Sequence, residues 1–209
     1  MRLYRAPFST NVERVALALG HKGVEVESVV ISYDDRSEVE RVSGQPLVPV
    51  LIDDDGLVVS DSMQIVAHLE RLHPHAPLYP ADAARRAEVD VFVDWFDGVW
   101  KFAPNALGAE LSGGSPDGRR IAGLAAEMAA ALDRFEALLD GREHLMSDDF
   151  SAADCAAFPF LKYALRREAA DDELFHRVLD DYQVLGDEHP RLAAWIERVG
   201  ARPRTGCEA

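Results

Sequence analysis

The chain has 209 residues, of which 22 are Lys or Arg and 37 Asp or Glu, for a formal net charge of −15. Hydrophobic residues make up 48%, which suits a globular protein with a sizeable core and excludes disordered or collagen-like chains. The acidic excess runs through both parts, with 7 basic against 12 acidic residues over 1–80 and 15 against 25 over 81–209, so neither nucleic acid nor an anionic membrane is an expected partner.

The first elements follow from local patterns. RLYR (2–5) reads as a short strand, and PFSTN after it is a loop whose Ser9, Thr10 and Asn11 can each cap a helix. Val12, Val15, Ala16 and Leu19 then recur at helical spacing, with Gly20 and Gly23 as stops. VEVESVVI (24–31) alternates and is rich in β-branched residues, as a strand would be. The polar run DDRSEVERVSG suits a loop with a short helix, and DDDG between LVPVLI (47–52) and LVVS (57–60) predicts a hairpin. DSMQIVAHLERLH is a helix with Ile65, Val66 and Leu69 on one face. The order β-α-β-α-β-β-α over residues 1–75 gives an α/β domain.

HPHAPLYPADA (73–83) has three prolines and no periodicity, and we read residues 76–84 as a linker. The pattern over 85–209 is helical throughout and predicts an all-α bundle. One stripe joins Val89, Phe92, Val93, Phe96, Val99 and Trp100, and a second joins Ile121, Leu124, Ala125, Met128, Leu132, Phe135 and Leu139. Ser151 and Asp154 have capping-box spacing, and Pro159 should bend the helical run 152–168. Cys155 and Cys207 suggest no disulfide framework, and the seven histidines show no metal-ligand spacing. With no apolar leader and no apolar run near ~20 residues, we expect a soluble cytoplasmic protein without a metal.

Pro49, inside LVPVLI, would remove a ladder hydrogen bond from a regular strand. Taken alone, it fits either a trans proline on an edge strand or a cis proline. Asp61-Ser62, at the start of a helix, fits either simple capping or an anion site. Ser9 and Asn11 likewise are helix caps or polar groups of a site.

Five stretches in order carry a resemblance to the glutathione S-transferase family: PFSTNVERVALALGHKGV, SGQPLVPVL, SDSMQIVAHLE, FSAADCAAFPFL and PRLAAWIERVGARP. The resemblance implies a thioredoxin-like first domain, a helical second domain, a cis Pro49, glutathione as co-substrate and a homodimer. It further implies that Val48 pairs through its backbone with the tripeptide, and that Ser62 takes the γ-glutamyl α-carboxylate while Asp61 takes the amine. Ser9 falls where serine-type classes stabilise the glutathione thiolate, with Asn11 able to assist or replace it. Tyr4 sits inside the strand and is the weaker candidate. APFSTN lacks the thiol of the cysteine-type classes. Thr10, Gln45, Leu47, Val48, Pro49, Asp61 and Ser62 are the expected glutathione contacts. Leu47 departs from the lysine that many relatives carry there, and Gln45 or Arg14 are its possible substitutes. Phe8, Trp95, Trp100 and Asn105 are expected to face a hydrophobic electrophile. The activity implied is thiol addition to that electrophile. The alternatives are a glutathione-dependent isomerase or dehalogenase, and a binding or regulatory protein that keeps the fold.

Overall fold

The computed structural model describes residues 1–167 and 170–207. The chain forms two compact units: Met1–Pro80 with the segment from Ala201 onward, and Ala81–Gly200.

The first unit runs β1 (Arg2–Arg5), α1 (Thr10–Lys22), β2 (Glu27–Val30), α2 (Ser37–Ser43), β3 (Val50–Ile52), β4 (Val58–Ser60) and α3 (Ser62–Leu72). Its sheet has the order β2-β1-β3-β4, with β1 and β2 parallel and the other pairs antiparallel. This is the thioredoxin-like arrangement. Tyr4, Ala6, Ile31, Val39 and Val50 form one apolar cluster that seats α2 on the sheet, while α1 and α3 pack against each other. The hairpin turn is held by Asp53, whose Oδ1 accepts from the N–H groups of Asp55 and Leu57. Strand β3 is shorter than the run 47–52, beginning only after the cis Val48–Pro49 bond. Proline has no N–H for a ladder, and the backbone of Leu47 is already bonded to the Gln45 side chain. At the far end of the unit the Lys22 ammonium fixes the proline-rich exit from α3, donating to Glu70 Oε2 at 2.6 Å and to the carbonyl of His73 at 2.8 Å.

Residues 201–207 lie in this first unit although they follow the last helix of the second. Thr205 N–H donates to the Ala16 carbonyl at 3.2 Å, Arg204 Nε to Glu13 Oε1 at 2.9 Å, and Ser28 Oγ to the Gly206 carbonyl at 3.3 Å. Arg202 Nη2 lies 2.6 Å from His21 Nδ1, and burial together with that guanidinium holds His21 below the usual imidazole range. The segment fits because α1 has no side chain at Gly20: a Cβ there would sit 2.2 Å from the Pro203 carbonyl oxygen.

The second unit runs α4 (Ala83–Trp95), a π turn (Phe96–Trp100), α5 (Phe102–Ser112), α6 (Gly118–Leu138), α7 (Ala152–Leu161), α8 (Leu174–Tyr182) and α9 (Pro190–Gly200). The helical run expected over 152–168 ends at Leu161 and passes into a 3-10 turn, Lys162–Ala164; its final residue, Glu168, lies outside the described residues. The first apolar stripe is interrupted at one position. In the π turn the Lys101 N–H reaches back five residues to the Phe96 carbonyl, which widens the spacing. Val99 is therefore 59% exposed, whereas Phe96 and Trp100 are buried and stacked at 4.4 Å between ring centres. Asp154, fully buried, organises the opposite side. It accepts from Ser151 N and Oγ through Oδ2, and from Leu145 N and Trp195 Nε1 through Oδ1, all at 2.8–3.1 Å.

Asp154→Ala strands four buried donors and is expected to lower stability by about 3 kcal/mol or more in denaturant unfolding. Gly20→Ala forces the Pro203 carbonyl away from α1. The expected outcome is a loss of about 1–3 kcal/mol and faster proteolysis within residues 201–207, read by mass spectrometry.

Candidate functional site

The register of the sheet gathers the candidate residues. Val50 lies opposite both Tyr4 and Ser60, and Arg5 lies beside Val30. The C-terminal ends of β1, β2 and β4 and the N-terminal end of β3 thus share one edge of the sheet. The loops leaving that edge carry Phe8 and Ser9, Tyr33 and Arg36, Val48 and Pro49, and Asp61 and Ser62.

Ser9 is the N-cap of α1, accepting weakly from the Val12 N–H at 3.4 Å. Its own hydroxyl proton has no acceptor among the described residues, and the positive end of the helix dipole lies beside it. Phe8, before it, is partly exposed with a positive φ of 58°, which turns the chain sharply into the helix. Asn11 is half-buried, whereas Thr10 is buried, its side chain turned inward. Tyr4 is also buried, in the sheet core.

The N–H and C=O of Val48 have no hydrogen-bond partner among the described residues, so a free stretch of main chain faces outward ahead of β3. Gln45 is not a free ligand group. Its amide donates to the Leu47 carbonyl at 3.0 Å and its Oε1 accepts from the Leu47 N–H at 2.6 Å. The residue therefore braces the loop, and the Leu47 side chain is left 67% exposed.

Asp61 caps α3 through Oδ1, which accepts from the N–H groups of Met63 and Gln64 at 3.0 Å each. Oδ2 has no partner among the described residues, and neither does the N–H of Ser62. Ser62 is buried, and its Oγ accepts from Arg14 Nη1 at 3.3 Å. Arg14 is 1% exposed. It lies against Ser62 and places a buried guanidinium at the start of α3. A helix N-terminus with a free N–H, a hydroxyl and a buried guanidinium can hold a carboxylate. The frame is braced from behind: Asp53 Oδ2 lies 3.0 Å from His68 Nε2 on α3. Burial works against the charged Asp53, but the Leu57 N–H, the His68 ring and the Asp55 N–H outweigh it and hold the carboxyl below its usual range.

Two residues with no motif in the sequence close the group. Tyr33 OH donates to the Pro7 carbonyl at 2.6 Å, and Arg36 Nη1 donates to the Pro46 carbonyl at 3.1 Å.

In the second unit Trp95 and Trp100 line a groove of about 450 Å³ with Val99, Ala103, Met128 and Ala131. Trp95 is half-buried against Phe92 and Phe135, each at 5.8 Å between ring centres. Trp100 is buried core, stacked on Phe96, and its aromatic packing accounts for it without a ligand. Asn105 is exposed, its amide donating to the Lys101 carbonyl at 2.7 Å. Among the described residues no cluster of His, Cys, Asp and Glu could hold a metal ion, and no helix is long and apolar enough to cross a membrane.

Comparison with known proteins agrees with this construction. The family described as glutathione S-transferase, N-terminal domain, matches residues 3–77, and that described as glutathione S-transferase, C-terminal domain, matches residues 119–198. A glutathione S-transferase of known structure from Rhodospirillum rubrum F11 is 31% identical with a TM-score of 0.72, covering 97% of this chain and 88% of that one. Glutathione S-transferase 3 of Zea mays is 29% identical over 218 residues, covering 97% of this chain and 90% of its own. The β-etherase LigF of Sphingobium sp. strain SYK-6 shares the fold at a TM-score of 0.80, with 22% identity over 97% of this chain and 95% of that one. A thioredoxin-like unit followed by a helical unit is thus the architecture in hand. The chain belongs to the glutathione S-transferase family.

Ser62→Ala takes an acceptor from the buried Arg14 guanidinium. It is expected to cost about 1–2 kcal/mol of stability, measured by urea unfolding without ligand.

Proposed function

We propose that the protein binds glutathione along the Val48 edge and ionises its thiol at Ser9 for attack on a hydrophobic electrophile. The observation that carries this reading is that the Ser9 hydroxyl proton at the start of α1 and the main chain of Val48, on the same edge of the sheet, have no partner among the described residues. An extended peptide pairs with such an edge as an added strand would, the cysteinyl N–H and C=O meeting the C=O and N–H of Val48. The γ-glutamyl carboxylate lies on the N–H and hydroxyl of Ser62 over Arg14, and the ammonium meets Asp61 Oδ2.

A free thiol has a pKa of about 8.5, so at neutral pH it is mostly protonated and weakly nucleophilic. The Ser9 hydroxyl donates to the sulfur and stabilises the thiolate, and the α1 dipole adds to that stabilisation. The thiol proton leaves to solvent. The sulfur lone pair then forms a bond to the electrophilic carbon, and the electrons of the broken bond pass to the leaving group or to a conjugated acceptor. Lowering the thiol pKa by about two units takes ~2.7 kcal/mol, within reach of one charge-assisted hydrogen bond and a helix terminus. Asn11, half-buried in the first turn, is the supporting polar group. Phe8 and Trp95 are the proposed apolar walls for the electrophile. We assign the protein to the cytoplasm as a homodimer, the arrangement usual in its family.

Ser9→Ala is the test. The pKa of bound glutathione, followed by thiolate absorbance, should rise by about two units, and kcat/KM at neutral pH should fall roughly a hundredfold. Affinity for glutathione should change by less than about threefold, because Val48 and Ser62 still hold the peptide. An unaltered thiol pKa in the variant would refute the role of Ser9.

A further inference from the structure

Phe8, the residue before Ser9, has a positive φ of 58°. A residue with a Cβ adopts that conformation at a cost and keeps it only where its surroundings fix it. The turn 6–9 therefore needs firm anchors, and its position decides where the Ser9 hydroxyl lies. Tyr33 OH supplies one anchor inside the turn, at the Pro7 carbonyl.

The residues on either side of the turn are both held by the short segment 201–207. In the first turn of α1, the Glu13 N–H donates to the Ser9 carbonyl at 3.0 Å, and Glu13 Oε1 accepts from Arg204 Nε at 2.9 Å. Arg204 is set in place by its Nη1, which donates to the Arg202 carbonyl at 2.8 Å. At the end of β1, the buried Arg5 donates from Nε to Ser28 Oγ at 2.5 Å, and that hydroxyl donates in turn to the Gly206 carbonyl at 3.3 Å. The fit there is close: a Cβ on Gly206 would sit 2.9 Å from Val26 Cγ2 and 3.2 Å from Leu3 Cδ2. Contacts at Ala16 and Gly20 seat the segment along α1. Those of Arg204 and Gly206 reach the two flanks of the Ser9 turn.

We propose that the segment 201–207 sets the position of the Ser9 hydroxyl, with Arg204 as a positioning residue for thiol ionisation that acts through Glu13. The proposal rests on the reading of Ser9 given above. The hydroxyl has to meet a sulfur whose place is fixed separately, at Val48 and Ser62. A shift of the helix start by about 1 Å leaves the peptide bound but lengthens that hydrogen bond, and misplacements of this size cost up to about a hundredfold in rate. Arg204 touches neither the peptide nor its sulfur, so its effect falls on ionisation of the thiol and not on affinity.

The test uses the full chain carrying Arg204→Met, Arg204→Lys or Ser28→Ala, each alone and combined with Ser9→Ala, with circular dichroism melting as a check on folding. Thiolate absorbance reads the thiol pKa of bound glutathione, and titration calorimetry reads its affinity. Arg204→Met should raise the thiol pKa by about 0.5–1 unit, roughly three- to tenfold less thiolate at a pH below it, with affinity held within about threefold. Arg204→Lys keeps a cation within reach of Glu13 and should recover part of the shift. Ser28→Ala, which works from the other flank, should shift the thiol pKa in the same direction. In the Ser9→Ala background Arg204→Met should shift nothing further, because positioning acts only through the hydroxyl. An unaltered thiol pKa in folded Arg204→Met and Ser28→Ala overturns the proposal. So does a shift of equal size with and without Ser9, which would be the direct electrostatic effect of the lost charge. So does a loss of glutathione affinity of about tenfold or more in Arg204→Met, the mark of a general loosening of the first unit. If Ser9→Ala alone still raises the thiol pKa, the parent reading stands through each of these results; if it does not, both fall.

Discussion

The site depends on the register that sets Val50 opposite both Tyr4 and Ser60. Because strand side chains and hydrogen bonds alternate with a period of two, a slip of one residue would invert every inward and outward position. With the register as it is, the loop before β3, the start of α1 and the start of α3 open on the same edge. Each then carries a polar group without a partner among the described residues: a hydroxyl proton at Ser9, a backbone pair at Val48, and an N–H at Ser62. Asp53, bonded to the hairpin turn and to His68 on α3, keeps β3, β4 and α3 moving as one piece.

Charge is distributed unevenly around this edge. The chain is strongly acidic, and several of its arginines meet carboxylates, as Arg204 meets Glu13 and Arg191 meets Glu136. Two further arginines, Arg14 and Arg36, stand near the candidate site. The first is buried against a serine hydroxyl, and the second is held by two carbonyls and a ring.

Much of the first unit was legible in the sequence because its signals are local. DDDG marks a hairpin, Ser9 precedes an apolar helical repeat, and Ser151 and Asp154 are spaced as a capping box. The cis bond at Pro49 was legible only through family resemblance. Other features leave no recognisable mark in the sequence. Gln45 has the chemistry of a ligand group, but its side chain closes on Leu47. Arg14 sits on a polar-looking helix position and is buried because Ser62 lies 48 residues away to receive it. Arg36 sits in a run read simply as polar. The π turn likewise has no signature in FDGVW, and a strictly helical reading therefore put Val99 in the core.

The segment 201–207 bears on how the protein is made. A ribosome releases residues 1–80 first, with α1 complete but the groove over Gly20 empty. Only when all the helices of the second unit have emerged can Pro203 settle over Gly20 and the Gly206 carbonyl meet Ser28. The N-terminal half is thus finished last, and synthesis of the two units is coupled even though each has its own core.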